Sequence, residues 1–210
     1  MSNMEYFIYG KRISIKDPLP EKMDIKNVIS KIEQILPRQF FNNIDILYIG
    51  QFKVLLDRQV NALYDSGTIY ISNIQDSEKD IIDDIVHEIS HSIEEVYGME
   101  IYGDGKIESE FIVKRSTIER ILKHNGFKTS KYDFLNTEYS KDLDSFFYEE
   151  VGYPMLNNLV NGLFASAYGV TSIREYYANG FEEYYLGDRK YLFDVSPKLY
   201  EKIEFLEEGE

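Results

Sequence analysis

The chain predicts an α+β fold: one helix, a small mixed sheet, then a mostly helical lobe. Three features carry that expectation. An apolar stripe at helical spacing opens at "DIKNVISKIEQIL". Two strand-like stretches, "IDILYIG" and "VNALYDSGTIYIS", follow it. From residue 77 onward, apolar positions recur at helical spacing almost to the end.

Each element has a local reason. Ile25, Val28, Ile29, Ile32 and Ile35 share one helical face, with Asp24 as N-cap and Pro37 as a stop. "VNALYDSGTIYIS" reads as a hairpin turning at Asp65, Ser66 and Gly67. Residues 77–97 form the next helix, capped by Ser77 and ended by Gly98, with an apolar face of Ile82, Ile85, Ile89, Ile93 and Val96. A second long helix over 106–124 carries Ile107, Phe111, Ile118 and Leu122. "TSKYDFLNTEYSKD" reads as an irregular connection, and helices follow at 141–150, 154–166 and 172–186. Pro197 sits in the first turn of the last helix, "SPKLYEKIEFL".

Composition bounds the rest. The 210 residues suit one domain over 1–210. The net charge of −14 repels phosphate backbones and anionic membranes, so neither nucleic acid nor membrane is an expected partner. The absence of cysteine removes disulfides and thiolate chemistry. The opening "MSNMEYFIYGKR" lacks the apolar stretch of a secretory signal, which suggests a cytoplasmic protein or a non-classical export route.

Chemistry concentrates at "HEISH", residues 87–91, which hold two of the three histidines. Residues four apart on a helix are rotated by only about 40°, so His87 and His91 can serve one zinc ion. Glu88 follows the first histidine and can take a proton from a water on that ion. Zinc needs a third protein ligand. A third histidine six residues past His91 is excluded, because Tyr97 stands there and Glu94 replaces the matching glycine. His124 stands near a helix end. Glu110 is a carboxylate alternative on the following helix, and Glu175 in "REYYANGFEEYYLGD" is the favoured one. Glu175, Ala178, Asn179 and Glu182 share a face, so Asn179 can support a ligand histidine. Glu175 also reads as part of a capping box with Ser172.

His87-Glu88-x-x-His91 followed by Glu175-x-x-Ala178-x-x-Phe181 resembles the anthrax lethal factor-like metallopeptidases, which include the small secreted Pro-Pro endopeptidases. The resemblance implies a zincin-like metallopeptidase fold in which His87, His91 and Glu175 bind Zn2+ and Glu88 is the general base. It further implies that Tyr168, seven residues before Glu175, stabilises the oxyanion, and that "SPKLYEKI" is the closing helix. The match covers residues 60–98 and 160–206. The 84 residues from His91 to Glu175 are about twice the spacing expected of that family, so the resemblance implies that 99–150 is a helical insertion. "EYYANGFEEYYL" also resembles the cytoplasmic repressor-cleaving peptidases of mobile elements, although Glu182 replaces their last alanine.

The expected activity is therefore zinc-dependent endopeptidase hydrolysis of a peptide or protein substrate, with "TIYIS" as a sheet edge for an extended peptide. The alternatives are a peptidase that cleaves regulators of mobile elements, or a proteolytically inactive zinc-containing binding module.

Overall fold

The computed structural model describes residues 5–209. The first four residues of the opening segment, read above for a leader, lie outside them. The described residues form a five-stranded mixed sheet and nine α-helices, an α+β architecture. The chain divides into two compact units, Met1–Tyr97 and Gly98–Glu210.

The first unit holds the sheet. β1 (Tyr6–Ile8) and β2 (Lys11–Ile15) precede α1 (Ile25–Ile35). β3 (Ile46–Ile49), α2 (Lys53–Arg58), β4 (Ala62–Asp65) and β5 (Thr68–Ile71) follow, and then α3 (Glu78–Tyr102) begins. Strand order is β1-β2-β3-β5-β4. β2, β3 and β5 run parallel, and both outer strands pair antiparallel. One sheet face carries Ile13, Leu47, Ile49, Ile69 and Ile71, all buried. The other carries the stacked rings of Tyr48 and Tyr70, 5.7 Å apart, with Phe52 edge-on to both.

Asp24 caps α1 as its sequence implies, accepting from the Lys26 amide at 2.9 Å. The hairpin turns where expected: Ser66 and Gly67 both take positive φ, 48° and 84°, the signature of a type I′ turn. A Cβ on Gly67 would also meet the Asp45 carboxylate at 2.8 Å, so glycine is doubly required.

One expectation fails here. "TIYIS" is an interior strand, because β5 lies between β3 and β4. Its alternating Ile69 and Ile71 are fully buried, as an interior strand requires. The edge is the other hairpin arm, β4. Along it the pairing alternates. Asn61 bonds inward, accepting from the Ser72 amide at 2.7 Å. Leu63 and Asp65 follow the same phase, so Ala62 and Tyr64 turn their amides and carbonyls toward the open edge.

α3 differs from its expected form at both its face and its end. The buried stripe is Ile81, Ile85, Val86, Ile89 and Ile93, while Val96 is exposed. Ser77 and Asp80 cap the start reciprocally, each accepting from the other's amide, at 3.3 and 3.0 Å. Gly98 does not end the helix. Tyr97 leaves helical geometry, at φ −105° and ψ 22°, and the chain resumes turning to Tyr102. The division between the two units falls at this kink.

The second unit is helical. α4 (Lys106–His124) is followed by the irregular connection, which ends at α5 (Lys141–Ser145) and a π-helical turn over Phe146–Val151. α6 (Tyr153–Val160), α7 (Ile173–Leu186), α8 (Arg189–Val195) and α9 (Pro197–Glu208) complete it. α6 is shorter than expected, and β1, β2, α2 and α8 were not anticipated from the sequence. α7 is buried on almost every side. It approaches α9 so closely that a Cβ on Gly180 would run into the Leu199 side chain. No described helix is long and apolar enough to cross a membrane.

Candidate metal centre

Three side chains of α3 are fixed within the first unit. His87 and His91 lie one turn apart, with ring centroids 4.9 Å apart and planes at 79°. Their helix is held by the buried isoleucines on its far side. Two buried serines among them, Ser90 and Ser92, satisfy themselves by donating to the carbonyls of His87 and Ile89, at 2.6 and 2.7 Å. His91 Nδ1 lies 3.3 Å from the Glu94 carboxylate. A histidine held through Nδ1 presents Nε2 to a metal, and such carboxylate partners orient ligand imidazoles.

Glu88 points to the sheet. It is buried, and its carboxylate accepts the edge-facing Tyr64 amide at 2.6 Å. Tyr64 is itself locked. Its phenol donates to Glu95 at 2.6 Å and accepts from the Gly67 amide at 3.0 Å. Burial, helped by the Glu95 bond, pushes that phenol up to about 12.

The first turn of α7 is fixed within the second unit. The Ser172 hydroxyl accepts from the Glu175 amide at 3.2 Å, so the cap read from the sequence is present. The Ile173 amide donates to the Thr137 carbonyl at 2.9 Å. Asn179 takes a partner other than a histidine: its side-chain oxygen accepts from the Ser166 hydroxyl.

Among the described residues, one group of three or more metal-ligating side chains comes together: His87, His91 and Glu175. Each is half-buried, and their ligand atoms lie within 4.8 Å of one another. Two imidazoles and one carboxylate fit zinc and leave a fourth position for water. The rival ligands stand elsewhere. His124 is exposed at the end of α4. Glu110 accepts from the Tyr176 hydroxyl at 2.8 Å and from the Lys198 and Leu199 amides at 3.0 and 3.2 Å. It therefore anchors the start of α9.

No family model, no curated protein and no solved structure matches this chain.

The group thus stands on its own geometry and on what surrounds it. Tyr168 opens a short 3-10 turn, Tyr168–Val170, and is 39% exposed. Burial raises its phenol well above the ordinary tyrosine value, and the Glu175 carboxylate adds to the rise. It therefore stays protonated and able to donate at neutral pH. Tyr139 and Tyr153 share this environment. Both are pushed up to about 12, by burial first, then by Asp144 and more weakly by Glu175. The Tyr139 hydroxyl donates to Asp144 at 2.8 Å. These two tyrosines escaped the sequence reading, because the irregular connection gives no periodicity from which to place Tyr139. Glu94 escaped it too, although its place three residues after His91 on a helix was a readable signal.

Proposed function

We propose that this protein is a zinc-dependent endopeptidase of zincin-like fold. The observation that carries the reading is the convergence of His87, His91 and Glu175 around one point, with Glu88 beside the first histidine. The mixed sheet preceding the HExxH helix is consistent with that fold. The resemblance to lethal factor-like metallopeptidases supports the same assignment of His87, His91, Glu175, Glu88 and Tyr168. His87, His91 and Glu175 would hold a zinc ion, and that ion would supply Lewis acidity toward a peptide carbonyl and a water.

The chain's own groups do the remainder. Glu88, fixed by the Tyr64 amide, takes the proton of the attacking water and passes it to the leaving amine. Tyr168, kept protonated by burial, donates to the developing oxyanion. β4 offers an extended substrate the edge-facing amide and carbonyl of Ala62, two residues before the amide that holds Glu88. Burial of Glu88 keeps bulk water from competing for its proton.

The test is peptide cleavage by the zinc-loaded protein against Glu88→Gln. That substitution keeps an acceptor for the Tyr64 amide while removing the base. Cleavage is expected to fall by about 10²–10⁴-fold with bound zinc unchanged. Equal cleavage by both proteins contradicts the role of Glu88.

A further inference from the structure

The first unit carries an uncharged apolar groove at the end of the β4–β5 hairpin away from its turn. It encloses about 290 Å³ and is lined by Phe52, Leu55, Leu56, Val60 and Ile74, with amide and hydroxyl groups from residues such as Asn61 and Ser72. Leu56 is 63% exposed and Ile74 is 70% exposed, so two large aliphatic side chains face solvent at one place. Clustered exposure of this kind marks a binding surface more often than scattered apolar residues do. None of the groove's lining residues is ionisable, in a chain where 29% of residues are charged. The occupant it suits is a neutral apolar side chain.

The groove is continuous with the open edge of β4. Asn61 and Ser72, which close the last pair of the hairpin ladder, also line the groove. Next along the strand come the edge-facing groups of Ala62, and then Tyr64, whose amide holds Glu88. β4 begins at Ala62 and Val60 precedes it by two residues, so at about 3.3 Å per residue Val60 lies within about 13 Å of Tyr64. An extended peptide bound to this edge, with its scissile bond at Glu88, reaches the groove three or four residues away. Antiparallel pairing is the more stable per residue. It sends the peptide from Asp65 toward Asn61, which puts the groove on the leaving-amine side.

We infer that this groove is a specificity subsite for a large apolar side chain at the third or fourth residue after the scissile bond. The inference rests on the endopeptidase reading above and adds the substrate class.

The test uses the zinc-loaded full chain on a synthetic library of randomised dodecapeptides, with cleavage sites mapped by mass spectrometry. The expected map is enriched in Leu, Ile, Met and Phe at the third or fourth residue after the cut. Leu56→Asp and Ile74→Asp should erase that enrichment and raise KM on the best library peptide about tenfold or more. Ile74→Leu should restore it. Both positions are exposed, and unchanged thermal melting confirms that the variants fold. Cleavage with a flat map at those positions, or a map unaltered by the two aspartates, overturns the subsite and leaves the peptidase reading standing. No cleavage by wild type beyond that of Glu88→Gln overturns both.

Discussion

The HEISH turn of α3 and the first turn of α7 each present metal-ligating side chains, and they are built by different means. The α3 turn is local. His87, Glu88, His91 and Glu94 lie within eight residues of one helix, and helical spacing alone sets their order. The α7 turn is assembled from distant chain. Ser172 caps it, Thr137 accepts its first amide, and the electrostatics of Glu175 reach Tyr139 and Tyr153 in other segments. A local turn is legible as a motif, whereas the distant partners of an assembled one, here Thr137, Tyr139 and Tyr153, become legible only when the fold is known.

The largest effect that sharpens this contrast is expected at Tyr168, which belongs to the assembled half. Tyr168→Phe should lower kcat by about 10²-fold with zinc content unchanged, as measured by steady-state cleavage. If Tyr153→Phe has that effect and Tyr168→Phe has none, the oxyanion donor is the neighbouring phenol. A smaller effect is expected at Glu94, in the local half. Glu94→Gln weakens the hold on His91 Nδ1 and should reduce zinc affinity about 10–100-fold in a chelator competition. An unchanged affinity would mean that the helix alone orients His91.

Stability against pH separates the two units next. The folded Tyr64 phenol is pushed up to about 12, above the ordinary 10. Its contribution is present below pH 10 and is lost as pH rises through 12. Buried Lys114 behaves oppositely. It donates to Tyr176 and Ser196 at 2.7 and 2.5 Å, and burial lowers its amine to about 8 from 10.5. The unfolded chain therefore binds more protons between pH 8 and 10.5, and stability from this group rises across that window. Denaturant midpoints should show the rise disappear in Lys114→Met and the later fall shrink in Tyr64→Phe. A midpoint curve unaltered by either variant contradicts these assignments.

Much of the fold could be read from the sequence, for reasons tied to particular residues. Asp24, Ser172 and Pro197 mark helix starts because their signals are local. β1 and β2 were missed because three and five residues beside a tight turn give too short an alternation. Gly98 looks like a C-cap in the sequence, whereas the chain kinks at Tyr97 and the helix continues to Tyr102. Which arm of the hairpin forms the edge depends on the parallel pairing of β3 with β5, which no local pattern encodes. At the candidate metal centre, the helical spacing of His87, Glu88 and His91 is legible in the sequence. The sequence favours Glu175 over Glu110, and the fold adds that Glu110 is occupied by the amides of α9.

The role of Glu175 is also open to the most direct test. Metal content should be measured on wild type, His91→Ala, Glu175→Ala and Glu110→Gln after equilibration with zinc and removal of excess. The assignment of His87, His91 and Glu175 as ligands predicts one zinc per chain in wild type and in Glu110→Gln, and loss of that zinc in His91→Ala and Glu175→Ala. Full zinc retention by Glu175→Ala, or no zinc in wild type, would contradict it.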